Sequence, residues 1–129
     1  MHKSRLAALV IDSQVDDIDP AASFWGKALG YEVIKSDEEW AEKYVHLEVK
    51  DNDIRVLVQK VEHPSRVHLD IETDNIKAEV KRLEGLGATI VKIMERWTVM
   101  EAPTGHRFCV VNPQRPDFYD ASDINVWES

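Results

Sequence analysis

The sequence predicts an α+β domain made of two tandem βαβββ units, and three observations predict it. The stretch Val67-His68-Leu69-Asp70-Ile71-Glu72 alternates strictly between apolar and polar residues, as a strand with one greasy and one polar face requires. A helical stripe follows at once, Ile76, Val80, Leu83 and Leu86, and three more strand-like runs come after it. The first half of the chain has the same plan, and a fixed offset of 57 residues aligns both Gly30 with Gly87 and Trp40 with Trp97. A shared offset for a helix terminator and an aromatic points to internal duplication.

Taken in order, Leu6 to Ile11 is apolar on both faces and reads as a buried strand. It is shorter than a signal-peptide core normally is. Ser13 to Asp19 is polar, and Asp19-Pro20 supplies a helix start, with Phe24, Trp25, Ala28 and Leu29 on one stripe and Gly30 as terminator. Tyr31 to Lys35 is expected as a short strand. Tyr44 to Val49 and Ile54 to Gln59 flank the turn Asp51-Asn52-Asp53 and read as a hairpin. The second unit runs as a strand from Arg66 to Glu72, a helix capped near Asp74 and stopped by Gly87, then strands Thr89 to Met94, Trp97 to Glu101 and His106 to Val111. The units span about 5–61 and about 66–113, within one domain of 129 residues. Residues 114–129 read as an irregular tail whose Phe118, Tyr119 and Trp127 could lie on the body or on a partner.

Composition excludes several functions. The 24 acidic and 16 basic residues give a net charge of −8, which repels phosphate backbones and anionic membrane surfaces. No run approaches the length of a membrane span. A single cysteine, Cys109, rules out an internal disulfide and fits a reducing cytoplasm.

The motifs Asp19-Pro20 with Phe24-Trp25 before Leu29-Gly30-Tyr31, Val67-His68-Leu69-Asp70, Leu83-Glu84-Gly85-Leu86-Gly87-Ala88 and Ala102-Pro103-Thr104-Gly105-His106-Arg107-Phe108 resemble those of the vicinal oxygen chelate (glyoxalase, bleomycin-resistance and dioxygenase) superfamily. They are most similar to its small glyoxalase-like domain branch. The resemblance covers roughly residues 5 to 113 and implies an eight-stranded cleft or half-barrel with helices outside. It implies a small organic molecule bound in the cleft between the two units, with lyase, isomerase or dioxygenase chemistry, and a homodimer. The alternative it offers is a metal-free protein that binds or sequesters its ligand without catalysis. A ferredoxin-like βαββαβ domain competes, but it uses four strands where eight candidates are present.

The superfamily commonly holds a divalent cation through the first and last strands of each unit. His68 matches the ligand position on the first strand of the second unit. Ala8, or Leu6 in the other register, stands at the equivalent place in the first, and neither can bind metal. Gln59 matches the last strand of the first unit, with Leu57 on the same face if the register differs. Cys109 stands where a glutamate is expected, and a neutral thiol is a poor ligand for a hard ion. The metal set is therefore His68 and Gln59, incomplete, and no cofactor is required by the sequence. Asp70 shares the face of His68, so a His68/Asp70 pair could work as an oriented base without metal. Trp40 and Trp97, placed by the repeat at matching strand starts, could wall a ligand cavity together with Gln59 and Cys109. Each has a plainer reading: His68 as a hydrogen-bonded inner-face histidine, Cys109 as a small apolar filler, the tryptophans as packing.

Overall fold

The computed structural model describes residues 1–128. Eight strands and two α-helices form among them, an α+β architecture with twice the strands a ferredoxin-like domain would use. The chain divides into two compact units, residues 8–67 and residues 1–7 with 68–129. Strand β1, His2–Ser13, is longer than its apolar run suggests and contributes to both.

In the unit of residues 8–67, the second half of β1 runs parallel to β3 (Arg55–Lys60), pairing Ala8 with Arg55 through to Ser13 with Lys60. Strand β2 (Tyr44–Leu47) is antiparallel to β3 and pairs Tyr44 with Gln59. Helix α1 (Ile18–Leu29) begins two residues before the expected first position Pro20, with the cap at Asp17 in place of Asp19, because the side chain of Asp17 accepts the backbone N–H of Asp19. Ile18 and Ala22 pack with Val45, Leu47, Val56 and Val58, with Trp25 at the margin, while Phe24 and Leu29 of the expected stripe are exposed. Gly26 lets the chain fold back closely, since a Cβ there would stand 2.8 Å from the carbonyl oxygen of Tyr31.

Tyr31 to Lys35 does not form a strand. Val33 makes one isolated bridge to Leu47, after which the acidic run leads into a single 3-10 turn, Glu39–Glu42. Trp40 therefore sits in that turn and not at a strand start. Trp97 does open a strand, so the 57-residue spacing of the two tryptophans does not carry over to local structure.

In the other unit, β4 (Arg66–Thr73) runs parallel to β7 (Arg107–Val111), β7 is antiparallel to β6 (Trp97–Glu101), and β6 to β5 (Thr89–Ile93). Helix α2 (Ile76–Gly85), capped by the Asn75 side chain, lays Val80 and Leu83 over Ala88, Met100 and Val110. Leu86 lies beyond the helix and is 67% exposed, so it is not part of the stripe. The tail is more ordered than its composition suggests. Residues Asn125–Trp127 form β8, antiparallel to His2–Ser4, and Phe118 is 1% exposed, buried in the chain and not offered at its surface.

Two buried carboxylates tie this unit together. Glu72 accepts hydrogen bonds from Arg5 Nε (2.7 Å) and from the backbone N–H groups of Gln114 (2.6 Å) and Arg115 (2.9 Å). Arg5 reaches Asp117 as well, at 2.6 Å. Glu79 accepts both guanidinium contacts of Arg82 and bonds His2 Nε2, each at 2.8 Å. Burial is the largest single influence on Glu79 and raises its pKa, but hydrogen bonds from Arg82, His2 and Ser4 together outweigh it and hold the group below its ordinary 4.5.

Two outcomes follow from these pairs. Arg5→Met leaves Glu72 charged and short of a partner, and should lower the unfolding free energy by about 3–5 kcal/mol in urea titrations. Because the folded pKa of Glu79 is depressed, its stabilisation is present above pH 4.5 and is lost as pH falls through the folded value. The wild-type stability should therefore decline below that pH more steeply than that of Glu79→Gln, as read from denaturation across a pH series.

Candidate functional site

Strand alternation and register bring three chemically active side chains together in the second unit. His68 and Asp70 lie two residues apart on one face of β4, and Asp70 pairs in register with Cys109 on β7. One ligand atom from each of the three lies within 4.8 Å of the others. His68 Nε2 stands 3.3 Å from Asp70 Oδ1, with side chains 13% and 18% exposed. The opposite face of these strands carries Ile71, Phe108 and Val110 against α2, so the polar trio faces away from the helix.

The same face extends across the sheet. Cys109 pairs with Val99, and Trp97 lies two residues back along β6, on the Cys109 face and 39% exposed. Arg107, two residues before Cys109, is held by Glu101 at 3.1 Å. At the other end of β4, the buried Glu72 anchors the strand to Arg5 and to the chain after β7. Sequence reading passes over Arg5 and Glu72 because nothing in either neighbourhood announces a partner 67 residues away.

The remaining expected residues belong to the other unit. Gln59 lies on β3, aligned with Asp12 on one side and Tyr44 on the other. Trp40 stacks on Tyr44, with ring centroids 5.1 Å apart and 13° between planes, and meets His46 edge-on at 5.8 Å. The His46 imidazole is held below its usual 6.5, first by burial and then by the positive charge of Arg55. Trp40 and Tyr44 also line a cavity of about 450 Å³ with Ala22, Val33, Asp19 and Asp37. The structure thus groups His68, Asp70 and Cys109 in one unit and Trp40 with Tyr44 and His46 in the other.

Comparison with known proteins then decides the family. The model of the glyoxalase-like domain matches residues 8–111. The chain belongs to the glyoxalase-like domain family. No curated protein matches it in sequence. Among solved structures, this glyoxalase-like protein is similar to methylmalonyl-CoA epimerase from Mycobacterium tuberculosis, with TM-score 0.63, 15% identity, and coverage of 90% of this chain and 91% of that one. A glyoxalase/bleomycin resistance protein/dioxygenase superfamily member from Vibrio splendidus aligns with TM-score 0.54 and 19% identity over 85% of this chain and 99% of the other. An extradiol ring-cleaving dioxygenase from B. fuscum gives TM-score 0.57 and 13% identity, over 85% of this chain and 32% of the dioxygenase. At these identities the likeness establishes the vicinal oxygen chelate fold. No helix among the described residues is long and apolar enough to cross a membrane.

The superfamily commonly implies a metal ion, and the trio offers it an imidazole, a carboxylate and a thiol. That mixed set suits Zn²⁺, Co²⁺ or Fe²⁺ and not Mg²⁺, and three protein ligands leave room for a substrate. Asp70 Oδ1 is shielded from solvent and has His68 Nε2 beside it at 3.3 Å, so two of the donors already converge. The donors fit such an ion, with Asp70 and Cys109 joining His68 in a set that the sequence limits to His68 and Gln59.

The electrostatics of the first unit can be read directly. An NMR titration should place the His46 midpoint below 6.5. Arg55→Gln should raise it only part of the way, because burial, the larger cause, persists.

Proposed function

We propose that this glyoxalase-like protein binds a small oxygen-bearing organic molecule at His68, Asp70 and Cys109, and that these residues hold a divalent ion for lyase- or isomerase-type chemistry. The observation that supports it most is the convergence of three different donors, all partly buried, on the sheet face away from α2. When bound, such an ion supplies Lewis acidity toward a carbonyl or a pair of neighbouring oxygens. The chain contributes orientation. Glu72, fixed by Arg5 and two backbone N–H groups, holds the end of β4 and so the spacing of His68 and Asp70. Arg107, held by Glu101, places a positive charge on the same face for an anionic or polarised substrate group. The epimerase and dioxygenase among the similar structures support a catalytic reading without indicating a substrate. The homodimer implied by the resemblance is part of this proposal and is read directly by analytical ultracentrifugation.

A second reading has its own support. His68 Nε2 and Asp70 are already within ion-pair range of one another, so the pair could serve a metal-free binder, or act as an oriented base.

Metal analysis separates the two. Protein purified without chelator should carry about one equivalent of zinc, cobalt or iron per chain, and His68→Ala, Asp70→Asn and Cys109→Ala should each lower metal affinity by roughly tenfold or more. Protein that takes up none of these metals on dialysis would leave the metal-free reading.

A further inference from the structure

Four of the arginines face a carboxylate. Arg5 meets Glu72 and Asp117, Arg66 lies 4.0 Å from Asp12, Arg82 grips Glu79, and Arg107 meets Glu101. Arg55 is different. Its side chain is partly buried, its Nε is shielded from solvent without a hydrogen bond, and it forms no ion pair among the described residues. This holds in a chain with 24 acidic residues to 16 basic ones, where a partner would be easy to supply. Glu48, beyond Leu47 on the neighbouring strand, is exposed and does not take that place. A shielded guanidinium N–H left unpaired is unfavourable unless a ligand completes it.

The surroundings say what kind of ligand. Residues Val56, Val58, Val45 and Leu47 pack against α1, so alternation puts Arg55, Leu57 and Gln59 of β3 and Tyr44 and His46 of β2 on the opposite face. His46 stands next to Arg55 closely enough to feel its charge, and touches both Trp40 and Tyr44. The face therefore runs from a stacked indole and phenol, through an imidazole that is neutral at pH 7, to one unpaired cation. We infer that Arg55, His46, Tyr44 and Trp40 form a binding site for a small aromatic carboxylate, with its carboxylate on the Arg55 guanidinium and its ring against the aromatic cluster. A single arginine matches one carboxylate through paired N–H donors. A phosphate, with more charge, would call for a further free cation, whereas Arg66, near Asp12 on this face, already has that carboxylate as its partner. Every residue it uses lies in the unit of residues 8–67, so its premises are independent of those for the His68 centre.

The test uses the full chain and benzoate as probe, followed by NMR of the His46 ring and Trp40 indole and by calorimetry, with benzamide, acetate and inorganic phosphate as comparisons. Benzoate should shift both side chains saturably and bind about tenfold or more tightly than benzamide or acetate. Arg55→Gln should lose about tenfold or more in benzoate affinity while metal content stays as in the parent, and Arg55→Lys should keep part of it. Equal binding of benzoate and benzamide, unchanged benzoate binding in Arg55→Gln, or phosphate binding more tightly than benzoate would each overturn the proposal. The benzoate-to-benzamide preference of the parent protein decides even if Arg55→Gln fails to fold. Metal analysis at His68 reads on the other centre alone, so either proposal can fail without the other.

Discussion

The carboxylate of Glu72 is the constraint on which one unit of this protein depends. It is fully buried, and an ionised group in that position is tolerable only when its lone pairs are occupied by strong donors. Three occupy them: the Arg5 guanidinium and the backbone N–H groups of Gln114 and Arg115. These come from the start of the chain and from the segment after β7, so one side chain gathers regions that are remote in sequence. The gain is specificity of arrangement more than raw stability, because a well-packed apolar pair could hold the same strands as firmly. What an apolar pair could not do is fix direction. The geometry of Arg5 and two successive N–H groups admits one placement of the end of β4, and with it one facing of His68 and Asp70.

Glu79 repeats the device on α2. Its two oxygens take Arg82 and His2 while Trp127 donates to Ser4 and lies under the Arg82 guanidinium, 3.9 Å from its ring centre. The cation therefore serves two partners, a carboxylate and an indole face. Strand β8 is only three residues long, too short for its backbone pairing to hold unaided, and this side-chain chain of contacts is what docks it on β1.

Much of the fold is legible because it follows from patterns local in sequence. The alternation of residues 67–72, the stripe on α2 and the turn at 51–53 each encode their element within a few residues. The misreadings share one cause, which is tertiary context. The cap lies at Asp17, and the face of α1 that is buried carries Ile18 and Ala22 and leaves Phe24 in solvent, because it is the one facing Val45, Leu47, Val56 and Val58. Tyr31 to Lys35 is expected as a strand, yet it makes only the short bridge around Val33 and Leu47, because the acidic run after it turns away into the 3-10 turn that holds Trp40. Residues 125–127 have too little pattern to be read as a strand until His2–Ser4 is beside them. At the site, His68 and Asp70 were legible as one face of one strand. Their proximity to Cys109 required the β4–β7 register, and the isolation of Arg55 required knowing which carboxylates Arg5, Arg66, Arg82 and Arg107 had taken.

Cysteine at position 109 bears on the chemistry more than any other departure from the family pattern. A glutamate there would add a second carboxylate beside Asp70, and two adjacent anions would favour a hard, oxygen-loving ion. A thiol shares its site with Asp70 without that repulsion while it is protonated, and becomes a strong soft donor once an ion displaces the proton. In the proposed metal site the exchange would couple metal preference to proton release. It also removes a carboxylate that could have served as base, which leaves Asp70 and His68 as the neighbouring pair able to hold a proton there, Glu101 on the same face being held by Arg107. Whichever way the metal question falls, the face retains the same division of labour, with Asp70 oriented by its strand, His68 beside it at 3.3 Å, and sulfur across the register.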